Sequence, residues 1–290
     1  MELFGDFSKT ITKPTALKDN EFNELREIIY RNTGLYFPET KRYLLETRIY
    51  QRMRALQINE PIEYLRILRK DGEQGEFPQL VNSITINETY FFRNEFQLKA
   101  FEESILPEVI EHRQQGIKKY IRIWSAGCSS GEEPYTLAMI IKERIQPRYP
   151  DVHFQIWGTD INTSVLKKAE KGVYREYSIR RMPTRYLNKF FTRKNDLYIL
   201  DETIRKMVFF KHLNLLDKQK MDVMRMFDII FCANVLIYFD EEAKRKVVAS
   251  LYDALNPGGY LLMGYSEVMY GVSQAFKPVH FNRAIGYKKE

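Results

Sequence analysis

From Asn20 onward the apolar positions repeat at helical spacing. Phe22, Leu25, Ile28 and Ile29 predict one buried stripe, and Gly34 stands where a C-capping glycine belongs. A second helix is predicted after Pro38, running to about Leu56 with Leu45, Ile49, Met53 and Leu56 as its buried line. A third follows Pro61, with Asn59 as a candidate cap and Gly72 as a terminator, and "GEFPQLVNSI" predicts a short fourth. Residues 20–86 therefore form a helical N-terminal domain, behind a loose leader over residues 1–19.

Beyond the aromatic stretch "TINETYFFRNEF", with a linker at residues 87–94, a long helix is predicted from about Glu95 to Gln114. The rhythm then alternates. Strands are expected near 120–126, 153–159, 227–233 and 259–265, and helices near 132–146, 162–171 and 241–255. That alternation predicts an α/β domain over 95–290, an open parallel sheet with helices on both faces. Between Phe191 and His212 the pattern changes to a hairpin or small antiparallel unit, a β-subdomain at about 192–212. The final "FKPVHFNRAIGYKK" is strand-like and is expected to close a sheet edge.

Composition narrows this picture only a little. Hydrophobic residues make up 44% of the 290, without an apolar run of bilayer length, and the N-terminus lacks the apolar core of a signal peptide. A cytoplasmic protein is expected. Two cysteines, Cys128 and Cys232, fit a reducing compartment and supply no metal framework. The formal net charge of +7 points to an acidic partner: nucleic acid, an anionic membrane or an acidic protein surface.

Candidate chemistry concentrates at "IRIWSAGCSSGEEPYTLAMII". In an open α/β sheet the ligand sits at the carboxyl ends of the strands, beside the turn from first strand to first helix. Gly127 to Gly131 form that turn, yet Glu132 and Glu133 occupy the helix start where a phosphate would seek N–H groups and a positive dipole. Two carboxylates there disfavour phosphate and suit an adenosine bearing a positive charge, a description that S-adenosylmethionine meets. Glu133 is the acid expected to meet the ammonium, with the N3 position of a capping box with Ser130 as its bland alternative, and Glu132 is read as a solvated or capping acid. Asp160 ends the second strand in "IWGTD", where an acid takes ribose hydroxyls, although a helix cap or turn is its bland alternative. The apolar strand "FDIIFC" ends at Ala233 and Asn234 without the Asn/Asp-Pro-Pro-aromatic signature of base-amine methylation. A carboxylate methyl acceptor is ionised at neutral pH and needs orientation rather than a base. Arg93 and Tyr238 are candidates to orient it, with a surface ion pair and aromatic packing as their structural alternatives.

"INETYFFR", "SAGCSSGEEPYTLAM", "GTDIN", "HLNLLD" and "CANVLIYF", in that order, resemble the chemotaxis receptor glutamate methyltransferases, the CheR family, from about residue 20 to 287. The resemblance implies a Rossmann-like class I methyltransferase with a helical N-terminal domain and an inserted β-subdomain. It implies methyl transfer from S-adenosylmethionine to receptor glutamates, leaving S-adenosylhomocysteine. By matching position it implies cofactor contacts at Asn87, Thr89, Arg93, Glu133, Asp160, Asn214, Leu215, Ala233 and Asn234, and substrate orientation by Arg93 and Tyr238. Lys41, Arg48 and Arg52, spaced seven and four apart, match the face that docks on the receptor's acidic helical bundle; a solvated helix face is the alternative. A monomer is expected, without nucleic acid, metal or membrane insertion. Two departures stand out. Ala233 replaces the family's common Arg, and "FTRKNDLYILDE" lacks the glycine-containing loop of members that tether a receptor pentapeptide, so tethering is not expected. A nucleic-acid or small-molecule methyltransferase, or a non-catalytic cofactor-binding module, remains the competing reading.

Overall fold

The computed structural model describes residues 14–70, 75–114 and 120–290. Most of the leader and Gly72 lie outside the described residues. The chain divides into two compact units, Met1–Thr85 and Ile86–Glu290.

The first unit holds α1 (Asp19–Thr33), a 3-10 turn (Glu39–Lys41), α2 (Arg42–Ala55), α3 (Pro61–Lys70) and α4 (Glu76–Ile84). Phe22, Leu25 and Ile29 are buried along α1, and Gly34 ends it in the left-handed region, donating to the Tyr30 carbonyl at 2.7 Å. On α2, Leu45, Ile49 and Met53 are fully buried, whereas Leu56 is 39% exposed. The predicted stripe is thus one residue too long, because the helix stops at Ala55 and Leu56 no longer follows its period. Arg52 donates from Nε and Nη2 to Glu76 at 2.8 and 2.6 Å, and the Tyr64 hydroxyl completes that buried carboxylate at 2.8 Å.

In the second unit α5 (Glu95–Ala100) runs through a π turn (Phe101–Ile105) into α6 (Leu106–Gln114), then β1 (Tyr120–Ala126), α7 (Glu132–Ile140) with its own π turn (Ile141–Ile145), and β2 (His153–Asp160). Next come α8 (Thr163–Lys171), β3 (Val173–Tyr174), α9 (Glu176–Ile179), α10 (Thr184–Phe190), β4 (Phe191–Lys194), β5 (Leu197–Leu200), α11 (Glu202–Arg205) and β6 (Val208–His212). The unit ends with α12 (Lys218–Asp222), β7 (Phe227–Cys232), α13 (Glu241–Ala254), β8 (Leu255–Met263), β9 (Phe276–Phe281) and β10 (Ala284–Lys289).

Seven strands form one sheet in the order β6-β2-β1-β7-β8-β10-β9. The first five pair in parallel; β10 runs antiparallel to both β8 and β9, so the C-terminal hairpin forms the edge. The sheet is mixed rather than all parallel. Alternate strand residues face opposite cores: Ile121, Ile123, Ile229 and Phe231 on one side, Trp124, Ala126, Ile230 and Cys232 on the other.

One predicted boundary changes. Residues 208–212 belong to the main sheet, with Val208 opposite Ile156 and His212 opposite Asp160 in parallel register. The small antiparallel sheet instead recruits β3 beside the β4–β5 hairpin, in the order β3-β5-β4. Local pattern does not reveal which of two sheets a short strand will join, since the partner residue is 52 positions away, as in Ile156 opposite Val208.

At the amino-terminal edge, a bulge between Phe227 and Ile229 interrupts the β7–β8 register and the Asp228 carboxylate, 2% exposed, gathers its donors. Arg113 donates from Nε at 2.7 Å and Nη2 at 2.5 Å, the Arg122 amide at 2.8 Å and the Asn256 side chain at 2.9 Å. Truncating a buried acid strands its cation. Asp228→Ala is expected to cost about 3 kcal/mol, a melting temperature lower by roughly 6–12 °C, with cofactor affinity kept. Thermal unfolding with and without S-adenosylhomocysteine checks this.

Candidate functional site

The glycine turn leaves β1 through backbone that only glycine adopts readily: φ is 76° at Gly127 and 90° at Gly131. A Cβ on Gly127 would lie 2.4 Å from a Val235 methyl, so the turn after β1 and the loop after β7 approach to contact. The amides of Gly127 and Cys128 both donate to the Thr159 carbonyl at 2.8 Å, which binds the turn to the end of β2.

Asp160 completes the junction. Its two carboxylate oxygens accept from the Ser129 and Asn162 amides, each at 2.8 Å. Burial pushes its carboxyl above the usual Asp range, and those amides oppose the shift. The cap of α8 is Asn162, whose side chain accepts from Ser164 and Val165, so Asp160 is no helix cap. A carboxylate offers about four acceptor sites, so Asp160 keeps capacity beyond its backbone donors.

The first helix starts differently from the capping-box alternative. Gly131 is the N-cap and makes no side-chain bond. The Ser130 hydroxyl donates to Glu132 at 2.8 Å, and the Ser178 hydroxyl donates to the same carboxylate at 2.9 Å. Glu132 is therefore neither solvated nor a cap: it is 2% exposed and fastens the α9 segment to the turn. Its partner Ser178 comes from 46 residues away, beyond local reading.

Glu133 turns the other way and accepts from the Ser125 hydroxyl at 2.7 Å. It keeps some accessible surface, although protein surrounds its carboxyl. Burial raises its pKa to about 7, opposed by the Ser125 bond and the Arg93 charge and reinforced by Glu267.

The 86–94 segment crosses this turn. The Asn87 carbonyl accepts from the Ser129 hydroxyl at 3.1 Å, the Phe91 amide donates to Ser178 at 2.9 Å, and the Phe92 amide donates to Thr136 on α7 at 3.2 Å. Thr89 lies half-buried between them. Arg93 donates to the Glu88 carbonyl at 2.8 Å and forms no carboxylate pair among the described residues. Tyr238 closes a 3-10 turn after β7; burial raises its phenol and the Arg93 charge lowers it, so the two share a neighbourhood.

After β6, the Leu213 amide donates to the Asp160 carbonyl at 3.0 Å and brings Asn214 and the buried Leu215 to the same edge. Ala233 and Asn234 follow β7, Asn234 with φ 62°. The fold thus gathers every predicted cofactor and orienting residue at the carboxyl edge of the sheet. Lys41, Arg48 and Arg52 belong to the first unit: Lys41 is exposed in the 3-10 turn, Arg48 donates to Gln51 at 3.3 Å, and Arg52 is committed to Glu76. Among the described residues no group of acids, His and Cys is arranged to hold a metal. Cys128 and Cys232 are buried, and burial pushes both thiols up.

Sequence reading missed Glu267. Its carboxylate accepts four amides: Asn234 at 2.6 Å, Val235 at 3.0 Å, Leu236 at 2.7 Å and Gly264 at 2.8 Å. It holds the whole loop after β7. The Gly264 bond is a local turn that spacing reveals; the other three span more than 30 residues and leave no local trace.

Two family models cover the chain in succession: "CheR methyltransferase, all-alpha domain" over residues 20–85 and "CheR methyltransferase, SAM binding domain" over 87–285. The chain belongs to the CheR methyltransferase family. A chemotaxis protein methyltransferase of Vibrio cholerae is 37% identical over 94% of both chains. One from Borreliella burgdorferi is 37% identical over 87% of this chain and 89% of its own, and one from Escherichia coli 32% identical over 89% and 87%. S-adenosylmethionine is accordingly the cofactor, and the edge suits it: a tight turn without Cβ bulk, carboxylates at Glu133 and Asp160, and no Lys-Ser/Thr pair for phosphate.

Because Glu267 positions Asn234 through backbone bonds, its amide isostere loses part of that grip. Glu267→Gln is expected to weaken S-adenosylhomocysteine binding roughly tenfold, about 1.4 kcal/mol, by calorimetry. Unchanged affinity would show that the loop holds without it.

Proposed function

We propose that this CheR methyltransferase esterifies glutamate side chains of chemoreceptors, yielding glutamate methyl esters and S-adenosylhomocysteine. The observation that carries the reading is Glu133: a carboxyl at the glycine turn, held by one serine hydroxyl and raised toward neutrality by burial. The cofactor's ammonium supplies the cation that pairs with it. Asp160 receives the ribose hydroxyls with its remaining acceptor sites, Asn214 and Leu215 border the adenine, Asn234 lies near the methionine end, and Asn87, Thr89, Arg93 and Ala233 are further cofactor contacts. S-adenosylmethionine supplies an activated methyl on its sulfonium. Arg93 and Tyr238 hold the acceptor carboxylate in line for displacement, a positioning role in which no base is required.

Lys41 and Arg48 dock the acidic receptor bundle from the helical unit, with Arg52 taking part only at the expense of its Glu76 bond. The Asn195–Asp196 turn of the β4–β5 hairpin, short and glycine-free, supports action without a pentapeptide tether. We place the enzyme in the cytoplasm as a monomer; no helix among the described residues is long and apolar enough to cross a membrane.

Radiolabelled methyl transfer to receptor membranes tests the reaction. Label released by mild alkali is expected, and alkali-stable label would sink the ester assignment. Arg93→Ala should lower transfer at least a hundredfold while S-adenosylhomocysteine affinity falls far less.

The pKa of Glu133 gives a pH dependence. The neutral carboxyl prevails below about pH 7 and the carboxylate above it, and only the carboxylate pairs with an ammonium. Raising the pH from 6 to 8 is expected to strengthen cofactor binding roughly tenfold, and Glu133→Gln to flatten that profile. Calorimetric titrations across the range decide it.

A further inference from the structure

Three guanidinium groups converge on one tyrosine ring. The Cζ atoms of Arg180, Arg181 and Arg93 stand 3.8, 5.5 and 5.7 Å from the centroid of Tyr90. Arg180 also lies 3.6 Å from the Tyr177 ring, so one guanidinium rests against both rings. Among the described residues Glu88 is the one carboxylate in an ion pair with the group: it accepts from the Tyr177 hydroxyl at 2.7 Å and stands 3.7 Å from Arg180, while Arg93 also acts on the more distant Glu133. Arg175 and Arg181 are exposed and have no carboxylate partner among the described residues.

The charge distribution sharpens this. Residues 171–194 hold eight Lys and Arg against one acid, Glu176, an excess equal to the whole chain's formal net charge of +7. The remaining residues balance to neutrality. The basic character is therefore a local feature of the segment that leads from α8 through α9 to β4. Cations crowded around one ring repel one another, and an arriving anion relieves the repulsion.

We infer that the Tyr90-centred arginine cluster, extending to Arg175, docks the acidic surface that flanks the target glutamate on the substrate protein. The inference rests on the proposed receptor-glutamate reading. The surface adjoins the site through Arg93, and unmethylated neighbours of a target glutamate are themselves carboxylates. Nucleic acid fits less well, because Arg180 lies against both the Tyr90 and the Tyr177 ring and competes with a base for stacking there. Each charge pair at such a rim acts mainly on encounter and salt dependence.

The test is initial-rate methyl transfer by the full chain to receptor membranes, comparing wild type with the Arg175→Glu, Arg181→Glu double variant at low and high salt. The receptor KM is expected to rise about tenfold in the variant, with kcat and the S-adenosylmethionine KM within twofold and a weaker salt dependence. Equal S-adenosylhomocysteine affinity in the two proteins certifies the fold, and Arg175→Lys, Arg181→Lys should restore the wild-type KM. A receptor KM within twofold of wild type at both salts overturns the docking while leaving the reaction standing. RNA binding that the double variant abolishes would reassign the face and overturn it too. No label transferred by the wild type overturns the functional reading and the docking with it.

Discussion

A carboxylate buried away from water must be met by donors, and at the carboxyl edge of this sheet four of them are buried or nearly so. Asp160 takes two backbone amides and Glu267 takes four, and together they fix the turn after β2 and the loop after β7. Glu132 takes two serine hydroxyls, one of them from the α9 segment. Glu133 has one hydroxyl and a raised pKa. Glu132 and Glu267 are structural, holding the α9 segment and the loop after β7, whereas Asp160 braces the turn and keeps acceptor sites for the ribose hydroxyls of the proposed function. Glu133, with a single hydroxyl donor, is the acid that the proposed function assigns to the cofactor's ammonium.

The aromatic 86–94 segment depends on the inserted small sheet. Phe91 is fully buried, edge-on to Tyr174 of β3 at 4.8 Å and to Phe191 of β4 at 5.3 Å. Its amide reaches Ser178, the residue that also holds Glu132. The segment bearing Arg93 is thus anchored to the insertion as firmly as to the main sheet. The opposite edge uses different means: Asp228 binds α6, β1 and β8 through Arg113, Arg122 and Asn256, keeping the scaffold together away from the chemistry.

Much of the architecture was legible because it rests on local periodicity. Gly34 caps its helix, β1 spans residues 120–126, and the helices near 132, 162 and 241 begin within a residue of their predicted starts. Failures fell where a residue's environment is set from far along the chain. Leu56 was exposed by the end of its helix, and β6 joined the larger sheet.

The site divides in the same way. Sequence alone determined that two acids follow a glycine turn, that another ends β2, and that phosphate is disfavoured there, because these follow from residue type and position next to strand ends. Only the tertiary structure decided how the two acids divide their roles, since the Ser178 hydroxyl donates to Glu132 and the Ser125 hydroxyl to Glu133. Glu267 gained its importance the same way. A carboxylate's role depends on which donors reach it, and long-range folding supplies most of those donors.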